Sequence, residues 1–261
     1  RDYTPLSAAE MRVWDSRHPK PSGGESFERS LLQTITTASK KQMSAIVPRD
    51  AASLERFRHI VGGAVDVMIG RGVPGPGEIE VGAWREEDRG AWRMARFLLK
   101  TPKRNEEVPA ILLEPKTKSS RTVIWVDGVG KASLFEPSGE PRPAVRRLLA
   151  SGACVLGLDM FGQGEFTANG RPLAKSRLQP EPWSKSAVYT FGYNSPLFAQ
   201  RVHDILAAIR FAKDRGKSGR EVDLIGLGGA GRWVAAARAQ AGAMVERAAI
   251  DTAGFRFANI N

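Results

Sequence analysis

Cysteine is almost missing from this chain of 261 residues. Its one cysteine, Cys154, excludes an internal disulfide framework and any metal site built from several thiolates. Histidine is nearly as scarce, with only His18, His59 and His203. No apolar run approaches the roughly 18 residues of a membrane-spanning helix. There is no internal repeat and no low-complexity tract, so collagen-like and wholly disordered chains are excluded. Acidic residues are in deficit, 28 against 39 Lys and Arg, for a net charge of +11. The first residue is Arg1, with no charged and apolar leader behind it, as expected if a leader has been removed or a longer protein precedes it.

What is present is ordinary for a soluble globular protein, with 42% hydrophobic and 26% charged residues. The basic surplus is dispersed, since Arg85, Arg89, Arg93 and Arg96 alternate with Glu86, Glu87 and Asp88. The denser groups, Lys116 to Arg121 and Lys213 to Arg220, are short. Neither makes the long basic stripe with interleaved aromatics that a nucleic-acid partner needs. A solvated basic surface is therefore expected, with neither a nucleic-acid nor a membrane partner.

Residues 1–75 read as a helical N-terminal extension. Ser7 with Glu10 has capping-box spacing for a helix to Trp14, Phe27 to about Ile46 reads as a second helix, and Ala51 to about Gly62 as a third. Val73-Pro-Gly-Pro-Gly77 is the clearest linker. From residue 78 the pattern turns to strands: Glu78 to Ala83 and Ala91 to Thr101 around the charged turn REEDRG, then Val108 to Leu113. Thr122 to Val126 is a continuous apolar run, as a buried parallel strand would be. Thereafter helices and strands alternate: helix 143–151, strand 153–158, a long amphipathic helix 197–215, strand 222–225, helix 232–241 and strand 247–250. That alternation predicts right-handed crossovers and a mostly parallel α/β sheet.

The segment VDLIGLGGAGRWVAAARA, residues 222–239, carries the chemistry. Gly226, Gly228 and Gly231 satisfy G-x-G-x-x-G, and Asp251 follows the next strand, as a ribose-binding acid would in a dinucleotide-binding Rossmann-like unit. That fingerprint usually opens its domain, however, and only 30 residues follow Gly231. The same strand–turn–helix is the nucleophile elbow of an α/β-hydrolase. Here the surroundings agree: Asp127-Gly128 ends one strand, and Asp159-Met-Phe-Gly162-Gln-Gly164 ends the next.

On these residues, and on VDGVGKASLF, YTFGYNSPLFAQRVHDILAAIRFAK and RAAIDTAGFRF, the chain resembles bacterial α/β-hydrolases of the acetylxylan-esterase and dienelactone-hydrolase type over residues 78–261. The resemblance implies an α/β-hydrolase sheet, carboxylic-ester hydrolysis, an acetylated polysaccharide or a small ester as partner, export from the cell, and neither cofactor nor metal. It also implies an elbow of the form G-x-S-x-G, and there this chain departs. Gly228 stands at the nucleophile position, and glycine offers no nucleophile. All three histidines precede the elbow, whereas the family places its histidine last.

The expectation is therefore a hydrolase-fold pseudoenzyme or an atypical esterase, with a sheet that stops before its last strands. The backbone N–H groups of Val129 and Gly229 would form the oxyanion hole. Ser133 is a conceivable replacement nucleophile. Lys131 is not a phosphate-loop lysine, because Trp125 stands where that motif needs glycine. Cys154 and His203 read as packing residues, and Trp183, Tyr189, Phe191 and Tyr193 as an aromatic group beside a cleft or over the sheet edge.

Overall fold

The structure is a computed structural model that describes residues 3–20, 22–117, 119–172, 195–215 and 220–256. The chain divides into two compact units, Arg1–Ile60 and Val61–Asn261. In the first unit, Ser7 and Glu10 bond to one another, but the segment stops after a single turn instead of reaching Trp14. One turn fixes several residues for one hydrogen bond, so it does not propagate without packing. The unit's helices are α1 (Gly24–Ala45) and α2 (Ala51–Phe57). Asp50 caps α2 through a reciprocal pair with Ser53, at 2.7 and 3.0 Å.

The second unit contains α3 (Gly63–Ile69), α4 (Pro143–Ala150), α5 (Leu197–Asp214) and α6 (Gly231–Ala241). Its strands are β1 (Glu80–Asp88), β2 (Trp92–Thr101), β3 (Glu106–Pro115), β4 (Arg121–Asp127), β5 (Cys154–Leu158), β6 (Glu221–Leu227) and β7 (Arg247–Ile250). They form one sheet in the order β1-β2-β3-β5-β4-β6-β7. The pairings from β1 to β5 are antiparallel, and β5, β4, β6 and β7 run parallel. Two crossovers thus leave from neighbouring strands, and β4 and β6 end side by side with Asp127 opposite Leu227.

The hairpin is present, but the acidic segment expected as its turn is strand. β1 runs on to Asp88 and only Arg89 to Ala91 turn. Its charges are matched across the pair, Glu86 with Arg93 and Glu87 with Arg96, so an exposed edge strand tolerates them.

The period of two along β4 divides the core between the two sheet faces. Ile124 and Val126 join Leu99, Leu112, Leu156 and Leu224 on the face covered by α5 and α6. Trp125 joins Ile111, Leu113 and Val155 on the face covered by α4. Helix α5 departs from its amphipathic reading. It lies between the sheet, α3 and α6, and Arg201, His203 and Asp204 are buried together with its apolar residues. At the far edge, Arg247, Ala248 and Ala249 of β7 are exposed.

Leu156 is fully buried, whereas Val67 on α3 is 82% exposed. In urea titrations Leu156→Ala is expected to lose about 3 kcal/mol of unfolding free energy, and Val67→Ala under about 0.5 kcal/mol.

Candidate functional site

The turn between β6 and α6 has the geometry of an elbow. Gly228 has φ +55° and Gly229 φ +84°, both in the left-handed region that favours glycine. The end of β4 approaches so closely that Gly128 N–H donates to Leu227 O at 3.3 Å and a side chain at 128 would overlap the Gly228 carbonyl. A Cβ on Gly228 would stand 2.7 Å from Asp127 Oδ1. A side chain at 228 would thus require the Asp127 carboxylate to shift. The same Oδ1 accepts the Val129 N–H at 3.0 Å, so of the two expected oxyanion-hole donors one is bonded within its own loop. The Gly229 N–H has no acceptor among the described residues.

The other motif residues serve close packing. A Cβ on Gly226 would fall 2.8 Å from Val234, and Gly231 lies against the backbone of Asp251. Asp251 N–H donates to Gly226 O at 2.9 Å, and its exposed carboxylate accepts Ala253 N–H at 2.8 Å, capping its own turn.

Two loops beside the elbow converge on Asp159, which is 2% exposed. Its oxygens accept the backbone N–H of Lys131 at 2.9 Å and of Glu165 at 3.0 Å, and the Lys131 ammonium pairs with it. Lys131 also reaches Glu165 at 2.6 Å. Gly164 lies so close to this carboxylate that any side chain there would overlap it. Gln163 completes the tie by donating to Gly128 O at 2.7 Å. An open cavity of about 440 Å³ adjoins the cluster, lined by Arg96, Ile111, Lys131, Phe135, Glu165 and Thr167.

Helix α5 grips the same loop from the other side. Asp204 accepts the Phe161 N–H at 2.8 Å, and Arg201 Nε donates to the Phe161 carbonyl at 3.0 Å. Burial pushes Asp204 up to about 7, against the lowering effect of the Phe161 N–H, with the Glu106 charge adding to the rise. Burial likewise pushes His203 down to about 4. The His203 Nε2 donates to Ile69 O at 2.7 Å, so this histidine packs α5 against α3.

Ser133 and Cys154 are both buried. The Ser133 hydroxyl accepts from Trp125 Nε1 at 3.2 Å, which ties it to β4. Cys154 is in the core, as its strand pattern required. Trp183, Tyr189, Phe191 and Tyr193 lie outside the described residues. No group of three metal-ligating side chains occurs among the described residues, and no described helix is long and apolar enough to cross a membrane.

The sequence matches no family model and no curated protein. Among solved structures, a Bacteroides fragilis NCTC 9343 protein assigned as an acetyl xylan esterase superposes with a TM-score of 0.57 at 10% identity. That match covers 76% of this chain and 53% of the other. The fold is that of the α/β-hydrolases. Acetyl xylan esterase 1 from Thermoanaerobacterium sp. JW/SL YS485 matches at 14% identity and a TM-score of 0.48, covering 70% and 56% of the two chains. A CE15 glucuronoyl esterase from Teredinibacter turnerae T7901 matches at 14% identity and 0.38, covering 72% and 49%. The chain thus spans about half the length of the structures it resembles.

Residue patterns alone did not disclose Asp127 at the elbow, the Lys131–Asp159–Glu165 cluster, or the grip of Arg201 and Asp204 on Phe161. A weak signal existed for the first two, since Asp127 and Asp159 each end a buried strand. Arg201 and Asp204 gave none, because charged residues on a helix ordinarily mark its solvent face.

Removing the Asp159 charge leaves Lys131 without its buried partner. Asp159→Asn is expected to cost about 3 kcal/mol, read as a shift in the urea midpoint at an unchanged slope. A pH series tests Asp204. Its folded value, about 7, lies above its ordinary 3.8, so its contribution is full below pH 4 and is lost as pH rises to 7. His203 acts in the opposite sense, losing stability as pH falls from 6.5 to about 4. Asp204→Asn cancels only the first effect. The variant should gain on the wild type steadily between pH 4 and 7, by at most roughly 4 kcal/mol, and a constant difference would contradict the assignment.

Proposed function

We propose that this chain is a carbohydrate-esterase-like α/β-hydrolase fold, behind a helical extension over residues 1–75, that does not form an acyl-enzyme at its elbow. One observation supports the reading: the residue at the expected nucleophile position is Gly228, and Asp127 Oδ1 stands 2.7 Å from where the first side-chain atom of a serine would go.

The binding role inherited with such a fold is recognition of an acetylated polysaccharide or a small ester, the substrate class of the acetyl xylan esterases it resembles. Any hydrolysis would have to be atypical, with water attacking directly. The alternative is a dinucleotide at Gly226, Gly228 and Gly231 with Asp251 on the ribose. It stands second because a pyrophosphate on this turn would meet the Asp127 carboxylate, and the Asp251 carboxylate is bonded within its own loop.

With p-nitrophenyl acetate and acetylated xylan the protein is expected to show no burst and no labelling by a serine-directed fluorophosphonate. Gly228→Ser alone should not restore either, because His203, the second unit's histidine, is committed to Ile69 O and gives the new hydroxyl no general base. Robust turnover abolished by the fluorophosphonate would refute the reading. Micromolar binding of NAD(H) by calorimetry without esterase activity would favour the dinucleotide alternative.

A further inference from the structure

Arg201 on α5 and Arg232 in the first turn of α6 stand over the same indole. Their guanidinium carbons lie 4.4 and 4.7 Å from the Trp233 ring centroid, and Arg232 is also 4.9 Å from that of Phe255. Arg201 is only 7% exposed. Beyond its Nε bond to Phe161 O, it has no hydrogen-bond acceptor and no ion pair among the described residues. Arg232 has neither, and its Nε is buried without a partner.

Buried arginines are ordinarily paired with carboxylates, because removing a cation from water costs several kcal/mol that only a counter-charge or good hydrogen bonds offset. Here the two cations oppose one another. Burial first, and then the Arg232 charge, hold Arg201 below the usual arginine range. The carboxyl group acting on Arg201 is Asp204, but its bonded oxygen is committed to Phe161 N–H and burial disfavours its ionised form. Cation–π attraction to Trp233 holds the guanidinium groups in place but supplies no oxygen acceptor. The terminal N–H donors of both groups remain for an acceptor, and a guanidinium presents them in the fork that suits an oxyanion. Arg232 also lies in the first turn of α6, an 11-residue helix whose positive end adds to the same field.

We propose that Arg201 and Arg232 form an anion-binding site beside the elbow that takes a compact oxyanion, a carboxylate or a phosphate group of a ligand. The site depends on the arginine pair and not on whether Gly228 takes part in catalysis.

The test is a titration of the full chain with sodium phosphate and, separately, sodium acetate at constant ionic strength in sodium chloride. It is followed by the arginine Nε–Hε resonances in 15N–1H spectra. At least one oxyanion should shift the Arg201 and Arg232 signals saturably with a millimolar Kd. The two arms tell which group the site prefers. Arg232→Gln, at a half-buried position, should weaken binding at least fivefold, and Arg232→Lys, which keeps charge but loses the fork, should weaken it less. An unchanged melting temperature identifies a folded variant, and Arg201→Lys serves as the second probe if Arg232→Gln unfolds. Shifts that only track ionic strength, or a Kd indifferent to both positions, would overturn the proposal. No hydrolysis is measured, so that failure would leave the reading of Gly228 untouched.

Discussion

The buried carboxylate of Asp159 is the constraint on which the rest of this sheet end depends. It terminates β5, lies out of reach of water, and has to be satisfied within the protein. Two backbone amides and one ammonium do so, and they come from two different loops, the one after β4 and its own. Satisfying one charge therefore fixes both loops relative to the strands. Gly164 is required so that the backbone can come this close. Gln163 then carries the constraint to Gly128 and thereby to the elbow.

Helix α5 completes the arrangement from below. Asp204 and Arg201 hold opposite ends of the Phe161 peptide groups, so the loop is clamped between α5 and Asp159. The clamp has an electrostatic cost. A carboxyl group at this depth is driven towards its neutral form, and an arginine beside it faces another arginine instead of a carboxylate. Such groups would be replaced by apolar residues if packing alone mattered, since buried ion clusters are often weaker than hydrophobic isosteres. Their presence beside the elbow fits a region built to bind.

The strand–turn–helix keeps its form with glycine at position 228. Close packing of Gly226 on Val234, of Gly231 on the Asp251 backbone, and of Gly128 on Gly228 maintains the strand–turn–helix independently of any catalytic side chain. Backbone geometry and chemistry are thus separable in this fold, as sites in general are grafted onto scaffolds that persist without them.

The strands, their two-sided apolar character and the crossover order were legible in the sequence because each rests on local periodicity: the run Thr122 to Val126, the alternation of helices and strands, and the glycine turn at 226–231. So was Gly228, since a missing side chain needs no coordinates to be noticed. Pattern failed where long-range pairing decides. The acidic segment of β1 is strand where Arg93 and Arg96 on β2 pair with Glu86 and Glu87, and the polar residues of α5 lie inside where Phe161 and Ile69 offer them partners. The sequence by itself determined that this is an α/β sheet with glycine at position 228 of its last strand–turn–helix. Only the tertiary structure decided that Asp127 stands against Gly228, that Asp159 joins two loops, and that Arg201 and Arg232 share one indole. Those relations hold between residues tens of positions apart, and nothing in local spacing encodes which charges will meet.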